Sequence, residues 1–498
     1  MSWRAGVVTT QADLGRQVER ALADVGAALA AETEPVPQAL LMVRIGDVVR
    51  SSLFLSLEAA LQVQERLVRT GAAPAVWPPA ARWLPRALVI TSVAADLYAG
   101  YVALRSRAAR APKLVRPRDW QLQHQRGATR LLDTAVALGG TLIKAGQIAS
   151  VRGDLLPAAY VEQLASLQDR VPPHPWSTIE AAIRREFGRP LDEVFADLDP
   201  QPVAAASLAQ VHRGTMHDHR QVAIKVQYPE MPDLVSADLA ALGAIVRGLG
   251  RLEPGIRLTP VLEHLRSTLP LEMDFGHEAA AMTQLRAALS HRDDVVIPEV
   301  IRELSTRRVL VMDFVDGIKI TDNAALQQAG IDPRSVAALL NDVYAEQVLQ
   351  LGLLHADPHP GNLLIQPGPR LVILDHGLTV ELRPALVDAL STMMRALLAG
   401  DLPALSSALV ELGFPVGEDT DLGSLLALAG VLMGTGEADA PTIGERLGKA
   451  LGDVPLELLT VGRALTLLSG VTRQLDPELD VLEIVAHHAK TRRGGERV

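Results

Sequence analysis

The stretch HADPHPGN, His355–Asn362, and the tripeptide DHG, Asp375–Gly377, form the most informative pattern in this sequence of 498 residues. In it, Asp357 precedes an asparagine by five residues, and a second aspartate follows that asparagine by thirteen. Transfer of a phosphoryl group needs an oxygen base or orienting group for the acceptor hydroxyl, and oxygen ligands for magnesium. The spacing therefore predicts a phosphate and magnesium site, with Asp357 as the base and Asn362 and Asp375 as metal ligands.

The protein-kinase pattern HRDxxxxN followed by DFG has the same order. A zinc cluster of His355, Asp357 and His359 is an alternative, and His355 as a packed structural residue is another. Zinc would leave Asn362 and Asp375 without a role. The kinase-like interpretation therefore accounts for more of the pattern.

A lysine suited to contact phosphates lies upstream, in VAIK at 222–225. It falls within QVAIKVQY, 221–228, where β-branched and polar residues alternate, so a strand is predicted there. A strand is the context that the kinase lysine motif requires. We assign Lys225 to the phosphates and Glu278, in LEMDFGHEAAAM, as its carboxylate partner.

Two further acids, Glu272 and Asp274, lie on the same predicted helical stretch, which runs from about 235 to 290. Asp274 and Glu278 are four residues apart and share a face of that helix, whereas Glu272 is turned away. A solvated helix face is the alternative interpretation for all three.

The place where a kinase carries GxGxxG reads PVAAASLAQVHRG in this chain. Small residues other than glycine occupy the loop: Ala204, Ala205, Ala206 and Ser207. Their methyl groups and the loss of φ > 0 freedom should tighten the loop and alter the approach of its amides to phosphate. We predict that nucleotide still binds, with altered placement of the γ-phosphate. Further nucleotide-binding positions are assigned at the end of RRVLVMDFV, namely Met312, Asp313 and Val315.

The order of elements predicts the fold class. Strand-like runs at 207–215 and 221–228, then VVIPEVI and RRVLVMDFV, precede a region that is helical from 333 onward except for LLIQ and LVILDHG. This order predicts an α+β, bilobal protein-kinase-like fold with a small strand-rich N-lobe, a helical C-lobe and an N-terminal helical extension. The predicted domains are a helical N-terminal region at 1–115, a helical extension at 116–199, the N-lobe at 200–316 and the C-lobe with a helical tail at 317–498.

Composition excludes several classes of protein. The chain has no cysteine, which rules out disulfides, thiolate zinc sites and cysteine nucleophiles. A net charge of −10 argues against nonspecific nucleic-acid binding, which needs a basic face. Hydrophobic residues make up 48% and aromatic ones 3%, so the cores should consist of aliphatic side chains on helices.

The segment 87–104 is apolar apart from Asp96, and a basic stretch follows it. Between 101 and 130, one acid accompanies eight cations: Arg105, Arg107, Arg110, Lys113, Arg116, Arg118, Arg126 and Arg130. A buried helix followed by a solvated linker is one interpretation, and peripheral docking on anionic lipid is the other. The N-terminus lacks the apolar run of a secretory signal, and the run 423–434 is too short to span a bilayer, so a cytoplasmic protein, peripheral at the inner face of the membrane in the second interpretation, is expected.

Four motifs in order resemble those of the UbiB/ADCK group of atypical protein-kinase-like proteins, over roughly residues 115 to 400. LIKAGQIAS matches the KxGQ signature through Lys144, Gly146 and Gln147. Ala204–Ser207 match its Ala-rich loop, Glu272 and Asp274 match its ExD element, and HADPHPGN completes the set. A departure is His376, where a kinase usually has Phe.

The resemblance implies that the helices at 120–170 cover the active site, with Lys144 and Gln147 in regulatory positions and Lys144 near Glu272. It also implies binding of ATP or ADP with Mg²⁺, ATPase activity with little protein phosphorylation in trans, and an accessory role in isoprenoid-quinone or lipid metabolism at membranes. Two other functions stay open. One is a pseudokinase scaffold that binds nucleotide without chemistry, and the other is a phosphotransferase for a small hydroxylated molecule.

Overall fold

The structure, a computed structural model, describes residues 84–150, 156–169, 173–253, 258–414 and 456–491. The chain separates into two compact units. The helical unit comprises the residues up to 173 with 205–208 and 228–269, and the mixed unit comprises 174–204, 209–227 and the residues from 270 onward. Most of the predicted N-terminal helical region and the apolar run 423–434 lie outside the described residues.

The helices are α1 (Leu84–Arg110), α2 (Pro117–Leu138), α3 (Thr141–Ser150), α4 (Ala158–Ala165), α5 (Trp176–Phe187), α6 (Met231–Leu252), α7 (Thr259–Glu272), α8 (Phe275–Ala288), α9 (Asn323–Gln328), α10 (Pro333–Glu346), α11 (Pro384–Ala399), α12 (Leu402–Glu411), α13 (Leu456–Leu475) and α14 (Val481–Thr491). A π-helical turn, Gln347–Leu351, continues α10. Short 3₁₀ turns occur at Pro112–Leu114, Ser166–Asp169, Leu191–Glu193, Arg302–Leu304 and Pro360–Asn362.

The strands are β1 (Phe195–Ala205), β2 (Ala209–Met216), β3 (Gln221–Gln227), β4 (Val295–Val296), β5 (Val309–Asp313), β6 (Ile318–Lys319), β7 (Leu353–His355), β8 (Leu363–Gln366), β9 (Arg370–Ile373) and β10 (Thr379–Glu381). One sheet has the order β1-β2-β3-β5, a second has the order β4-β9-β8-β6, and β7 pairs with β10. The predicted strands at VAIK and LLIQ are confirmed as β3 and β8. The short pair β7 and β10 lies in a region predicted to be helical, and that part of the prediction is wrong.

The lysine strand, β3, occupies the interior of its sheet. It runs antiparallel to β2 and to β5, with Lys225 opposite Val211 on one side and Leu310 on the other. Val222, Ile224 and their neighbours along the strand are buried. A central strand covered on both faces gives its lysine a fixed backbone, because every neighbouring position is packed or paired.

The helical stretch predicted from 235 to 290 is divided into three helices, so its continuity is wrong. The last break comes at Asp274, whose backbone is extended and whose side chain accepts a hydrogen bond from the Gly276 amide at the start of α8. An N-cap of this kind satisfies amides that have no partner within the helix. Glu272 therefore ends α7 while Glu278 lies on α8, and the shared helix face predicted for Asp274 and Glu278 is also wrong.

Both units have aliphatic cores, as the composition predicts. In the mixed unit, side chains such as Leu285, Leu310, Leu340 and Ile365 are fully buried in one cluster. Each such side chain contributes about 1.5–3 kcal/mol through its removal from water. This core lies beneath the residues of the candidate site.

The apolar segment 87–104 lies within α1, which packs against α2 and α6 in the helical unit. Its side chains Val89, Ile90 and Val93 are buried. Just before it, Arg86 Nε donates to Asp238 Oδ1 of α6 at 2.6 Å. These contacts favour the buried-helix interpretation for this face of α1. Across the described ranges, we find no helix with the length and apolarity needed to span a bilayer.

Candidate active site

Lys225 and Glu278 form a buried ion pair in the mixed unit. Lys225 Nζ donates to both carboxylate oxygens of Glu278, at 2.8 Å each. Only 8% of Lys225 and 3% of Glu278 are exposed. Charged groups this deeply buried are tolerated only when paired. The predicted pairing is present, and the solvated-face interpretation of Glu278 is wrong.

Asp375 joins this pair from the end of β9. Its Oδ2 accepts a hydrogen bond from Lys225 Nζ at 3.1 Å. Burial opposes the positive charge on Lys225, but the carboxylates of Asp375 and Glu278 outweigh it and raise the pKa of the ammonium above its ordinary value. The lysine is thus held as a cation between an acid on a helix and an acid at the strand end.

The backbone of Asp375 adopts a left-handed conformation with φ of 50°. Aspartate is one of the few residues other than glycine that adopt this region readily. Its carbonyl oxygen accepts from His355 Nε2 at 2.9 Å, and its Oδ1 accepts from the Gly377 amide at 3.3 Å. These bonds fix the turn that presents the Asp375 carboxylate to Lys225.

His355 is a structural support rather than a zinc ligand. Its Nε2 donates to the Asp375 carbonyl, so its Nδ1 accepts from the Tyr344 hydroxyl at 2.7 Å. Burial lowers the pKa of His355, which is consistent with this neutral tautomer. Both ring nitrogens are therefore engaged, and among the described residues no group of three or more His, Cys, Asp or Glu is arranged to hold a metal.

His376, which replaces the usual Phe, is fully buried. Its ring lies edge-on to His355 with centroids 5.2 Å apart, and its Nε2 donates to the Ile373 carbonyl at 3.1 Å. Burial lowers the pKa of His376 to about 3, so the ring is neutral. Its backbone amide also hydrogen-bonds to the Glu278 carboxyl. The substituted residue therefore behaves as an aromatic ring packed in the interior.

The loop His355–Asn362 brings Asp357 and Asn362 together. Asn362 Nδ2 donates to Asp357 Oδ2 at 3.2 Å, and the Asn362 carbonyl accepts from the Leu374 amide at 2.8 Å. That second bond extends the β8–β9 pairing by one position, so Asn362 and Asp375 flank the same end of the hairpin. A carboxylate and an amide oxygen are the hard oxygen ligands that magnesium prefers, so these residues fit a Mg²⁺ ion.

Sequence reasoning missed one residue of the site. Arg463, on α13, donates from Nη2 to Asp357 Oδ1 at 2.9 Å. It lies 106 residues after Asp357 in the chain. No local pattern marks it, because a single arginine on an amphipathic helix is ordinarily a solvated side chain.

The other assigned residues are placed as follows. Met312 and Asp313 end β5, where Met312 pairs with Ala223 of β3 and Asp313 with Val222, and Val315 follows the strand. The segment Ala204–Ser207 covers the end of β1 and the start of the turn to β2. Binding of nucleotide by these positions stays a prediction.

The residues predicted to be regulatory belong to three elements. Lys144 and Gln147 are on α3, where Gln147 Nε2 donates to the Leu167 carbonyl at 3.4 Å. Glu272 ends α7, and Asp274 Oδ2 accepts from Arg307 Nε at 3.0 Å. The proximity of Lys144 to Glu272 stays a prediction.

Comparison with known proteins agrees with this geometry. Residues 166–409 match the ABC1 atypical kinase-like domain. The AarF domain-containing protein kinase 1 of Xenopus tropicalis is 34% identical over 284 residues, which are 56% of this chain and 54% of that protein. The chloroplastic protein ACTIVITY OF BC1 COMPLEX KINASE 8 of Arabidopsis thaliana is 31% identical over 407 residues, which are 72% of this chain and 53% of that protein. The chain thus spans about half the length of these relatives.

Among solved structures, the complex of Rv3197 with erythromycin from Mycobacterium tuberculosis is similar, with a TM-score of 0.52 and 24% identity. The likeness covers 70% of this chain and 92% of that one, and it bears on the fold alone.

The fold and the site together define an atypical kinase-like protein, which confirms the predicted α+β protein-kinase-like fold. The ABC1 domain match and the AarF domain-containing relatives confirm the predicted resemblance to the UbiB/ADCK family.

Proposed function

We propose that this protein binds ATP with Mg²⁺ and transfers the terminal phosphoryl group mainly to water, as an ATPase. The observation that carries the proposal is the position of Lys225, which contacts Glu278 at 2.8 Å and Asp375 at 3.1 Å. In kinases the equivalent lysine and helix glutamate, and the aspartate of DFG, must all be in place before phosphoryl transfer. Here Lys225 contacts both acids.

Each residue of the site has a role that follows from its charge. Lys225 presents a fixed ammonium to the α- and β-phosphates, and Glu278 keeps it oriented. Asn362 and Asp375 would hold magnesium, which neutralises charge that builds up on the phosphate oxygens when it is bound. Asp357 would orient the attacking water and accept its proton. The loop Ala204–Ser207 lacks glycine, so we expect γ-phosphate placement to be poor for phosphorylation of another protein.

The test is magnesium-dependent nucleotide binding and ATP turnover in full-length variants. Lys225→Ala removes the phosphate-binding cation and Asp375→Asn removes a magnesium ligand, so each should lose at least 10-fold in affinity or turnover, the scale set by a charge-assisted contact of roughly 1.5–3 kcal/mol. Lys319→Ala, at an exposed lysine on β6, is the control and should behave like the wild type. Unchanged binding and turnover in both site variants would refute the proposal.

A pseudokinase scaffold is the second candidate, because the Ala-rich loop suits nucleotide binding without γ-phosphate transfer. The presence of Lys225, Asp357, Asn362 and Asp375 argues for chemistry. Turnover measured with and without membrane mimics separates the two. A third candidate, a small-molecule phosphotransferase, is supported by HADPHPGN alone and would be revived by a phosphorylated product in a metabolite screen.

We further propose an accessory role in isoprenoid-quinone or other lipid metabolism, with an apolar precursor as ligand. A cavity of about 340 Å³ in the mixed unit is lined mostly by aliphatic side chains of α10, α11, α13 and α14. The apolar part of its lining includes Leu390, Val461 and Leu468. The charged part includes Arg473 and Asp476. A pocket of this size and polarity suits an apolar ligand with a polar end.

The same role would place the protein in the cytoplasm, peripheral at the inner face of the membrane. The turn Pro112–Leu114, between α1 and α2, exposes 73% of Leu114. Lys113 and Arg116 beside it are also exposed. An exposed leucine flanked by cations fits the boundary between anionic headgroups and acyl chains.

A further inference from the structure

Both carboxylate oxygens of Asp357 are held by side chains. Oδ2 accepts from Asn362 Nδ2 at 3.2 Å, and Oδ1 accepts from Arg463 Nη2 at 2.9 Å. An ionised carboxylate has about four acceptor positions, so two remain for the proton of an incoming hydroxyl or water. The two contacts restrict rotation of the carboxylate and leave its other two acceptor positions open.

The cation at Asp357 comes from far along the chain. The loop His355–Asn362 contains no Lys or Arg, and the kinase pattern's arginine position is occupied by Ala356. Arg463 supplies the positive charge from α13 instead. Its side chain is 22% exposed, and its Nε is buried with no hydrogen-bond acceptor among the described residues. The guanidinium therefore keeps donor capacity beyond its bond to Asp357.

The helix that carries Arg463 is firmly anchored in the mixed unit. Leu458, Val461 and Leu468 of α13 are buried in the core. Asn341 Nδ2 of α10 donates to the Thr472 hydroxyl of α13 at 2.8 Å. Such anchoring gives the guanidinium a defined position, which a surface side chain on a loose tail would lack.

We propose that Arg463 is the positioning residue for Asp357. It holds the carboxylate in the orientation that receives the acceptor, so phosphoryl transfer depends on the C-terminal helix α13. The inference rests on the proposed function, because it needs Asp357 to act on the acceptor. A correctly oriented base matters because small displacements of a catalytic group reduce the rate strongly.

The test is steady-state ATP hydrolysis by the full-length protein over a range of Mg-ATP concentrations. Arg463→Ala should lower kcat roughly 10-fold or more and leave KM within about twofold, since the lost contact orients the base and does not bind nucleotide. Arg463→Lys should recover part of the loss, because a shorter cation can still reach one carboxylate oxygen. Arg395→Ala is the matched control. It removes an exposed arginine on α11 of the same unit, which bonds to the Thr392 hydroxyl of its own helix.

Several outcomes would overturn the inference. An Arg463→Ala protein with the wild-type kcat would show that the contact is dispensable, and one with a higher kcat would show that it restrains the base. Equal losses in the alanine and lysine variants and in Arg395→Ala would indicate a general effect on folding. If the alanine variant does not fold, Arg463→Gln gives the same comparison with the charge removed. A wild-type protein without turnover would instead refute the proposed ATPase, which is a separate result.

Discussion

At the scale of single residues, the buried pair of Lys225 and Glu278 dominates the site. Without Lys225, Glu278 would be an uncompensated buried charge, and without Glu278, Lys225 would keep Asp375 as its partner. Burial raises the pKa of Glu278, and its contact with Lys225 opposes that rise. Each group therefore helps to keep the other charged. The pair is a stability element as well as a functional one.

We predict that Glu278→Gln destabilises the protein and disables the site. Breaking a buried pair by removing one charge costs about 3–5 kcal/mol. Denaturant unfolding should show a loss of that order, and Mg-ATP binding should weaken at least 10-fold because Lys225 is left to pair with Asp375 alone. Glu303→Gln, at an exposed glutamate, is the control. A Glu278→Gln protein with wild-type stability and affinity would contradict this account.

At the scale of elements, an ionic network fastens α14 to α10. His488 Nε2 contacts Asp342 Oδ1 at 2.7 Å, and Arg292 Nη1 contacts both Asp342 Oδ2 at 2.7 Å and Glu346 Oε2 at 2.8 Å. Asp294 contacts the other end of the same guanidinium. The hydrogen bond from His488 is the main cause that lowers the pKa of Asp342 to about 2, and Arg292 adds to it.

This network predicts a pH dependence with a definite sign. A carboxyl whose folded pKa lies below its unfolded value of about 3.9 contributes stability above that value and loses it as pH falls toward 2. Asp342→Asn should therefore lower Tm by a few degrees, about 2–4 °C, at neutral pH. The difference from wild type should shrink between pH 4 and pH 2. Melting curves across that interval are the measurement, and a difference that grows on acidification would be the opposite result.

Local patterns in the sequence predict the elements that depend on a few adjacent residues. The strand VAIK and the strand LLIQ show such patterns, and so do Asp357, Asn362 and Asp375 on their loop. Strands of three residues, such as β7 and β10, are too short for periodicity to reveal. The helix break at Asp274 is hard to predict, because the helical pattern of the sequence continues on both sides of it. The contact of Arg463 arises only when distant helices pack, so no window of sequence contains it.

At the scale of the whole molecule, the basic turn near Lys113 predicts association with anionic membranes. Sedimentation with vesicles containing anionic lipid should carry the protein down, and neutral vesicles should not. Lys113→Glu should weaken binding to the vesicles roughly 10-fold or more. Each cation near an anionic surface contributes about 1 kcal/mol, and the substitution both removes a cation and adds an anion. Lys319→Glu makes the same charge change in the mixed unit and should have little effect. Equal binding to both kinds of vesicle would contradict the prediction.

The segment that follows the DHG turn is short. Six residues, 378–383, separate Gly377 from α11, and three of them form β10. Thr379 carries the only hydroxyl in that segment, and 9% of it is exposed. Ordinary kinases are switched on by phosphate added to a long loop at this point. The segment 378–383 therefore presents no exposed hydroxyl to an upstream kinase, so we expect the proposed activity not to depend on phosphorylation there.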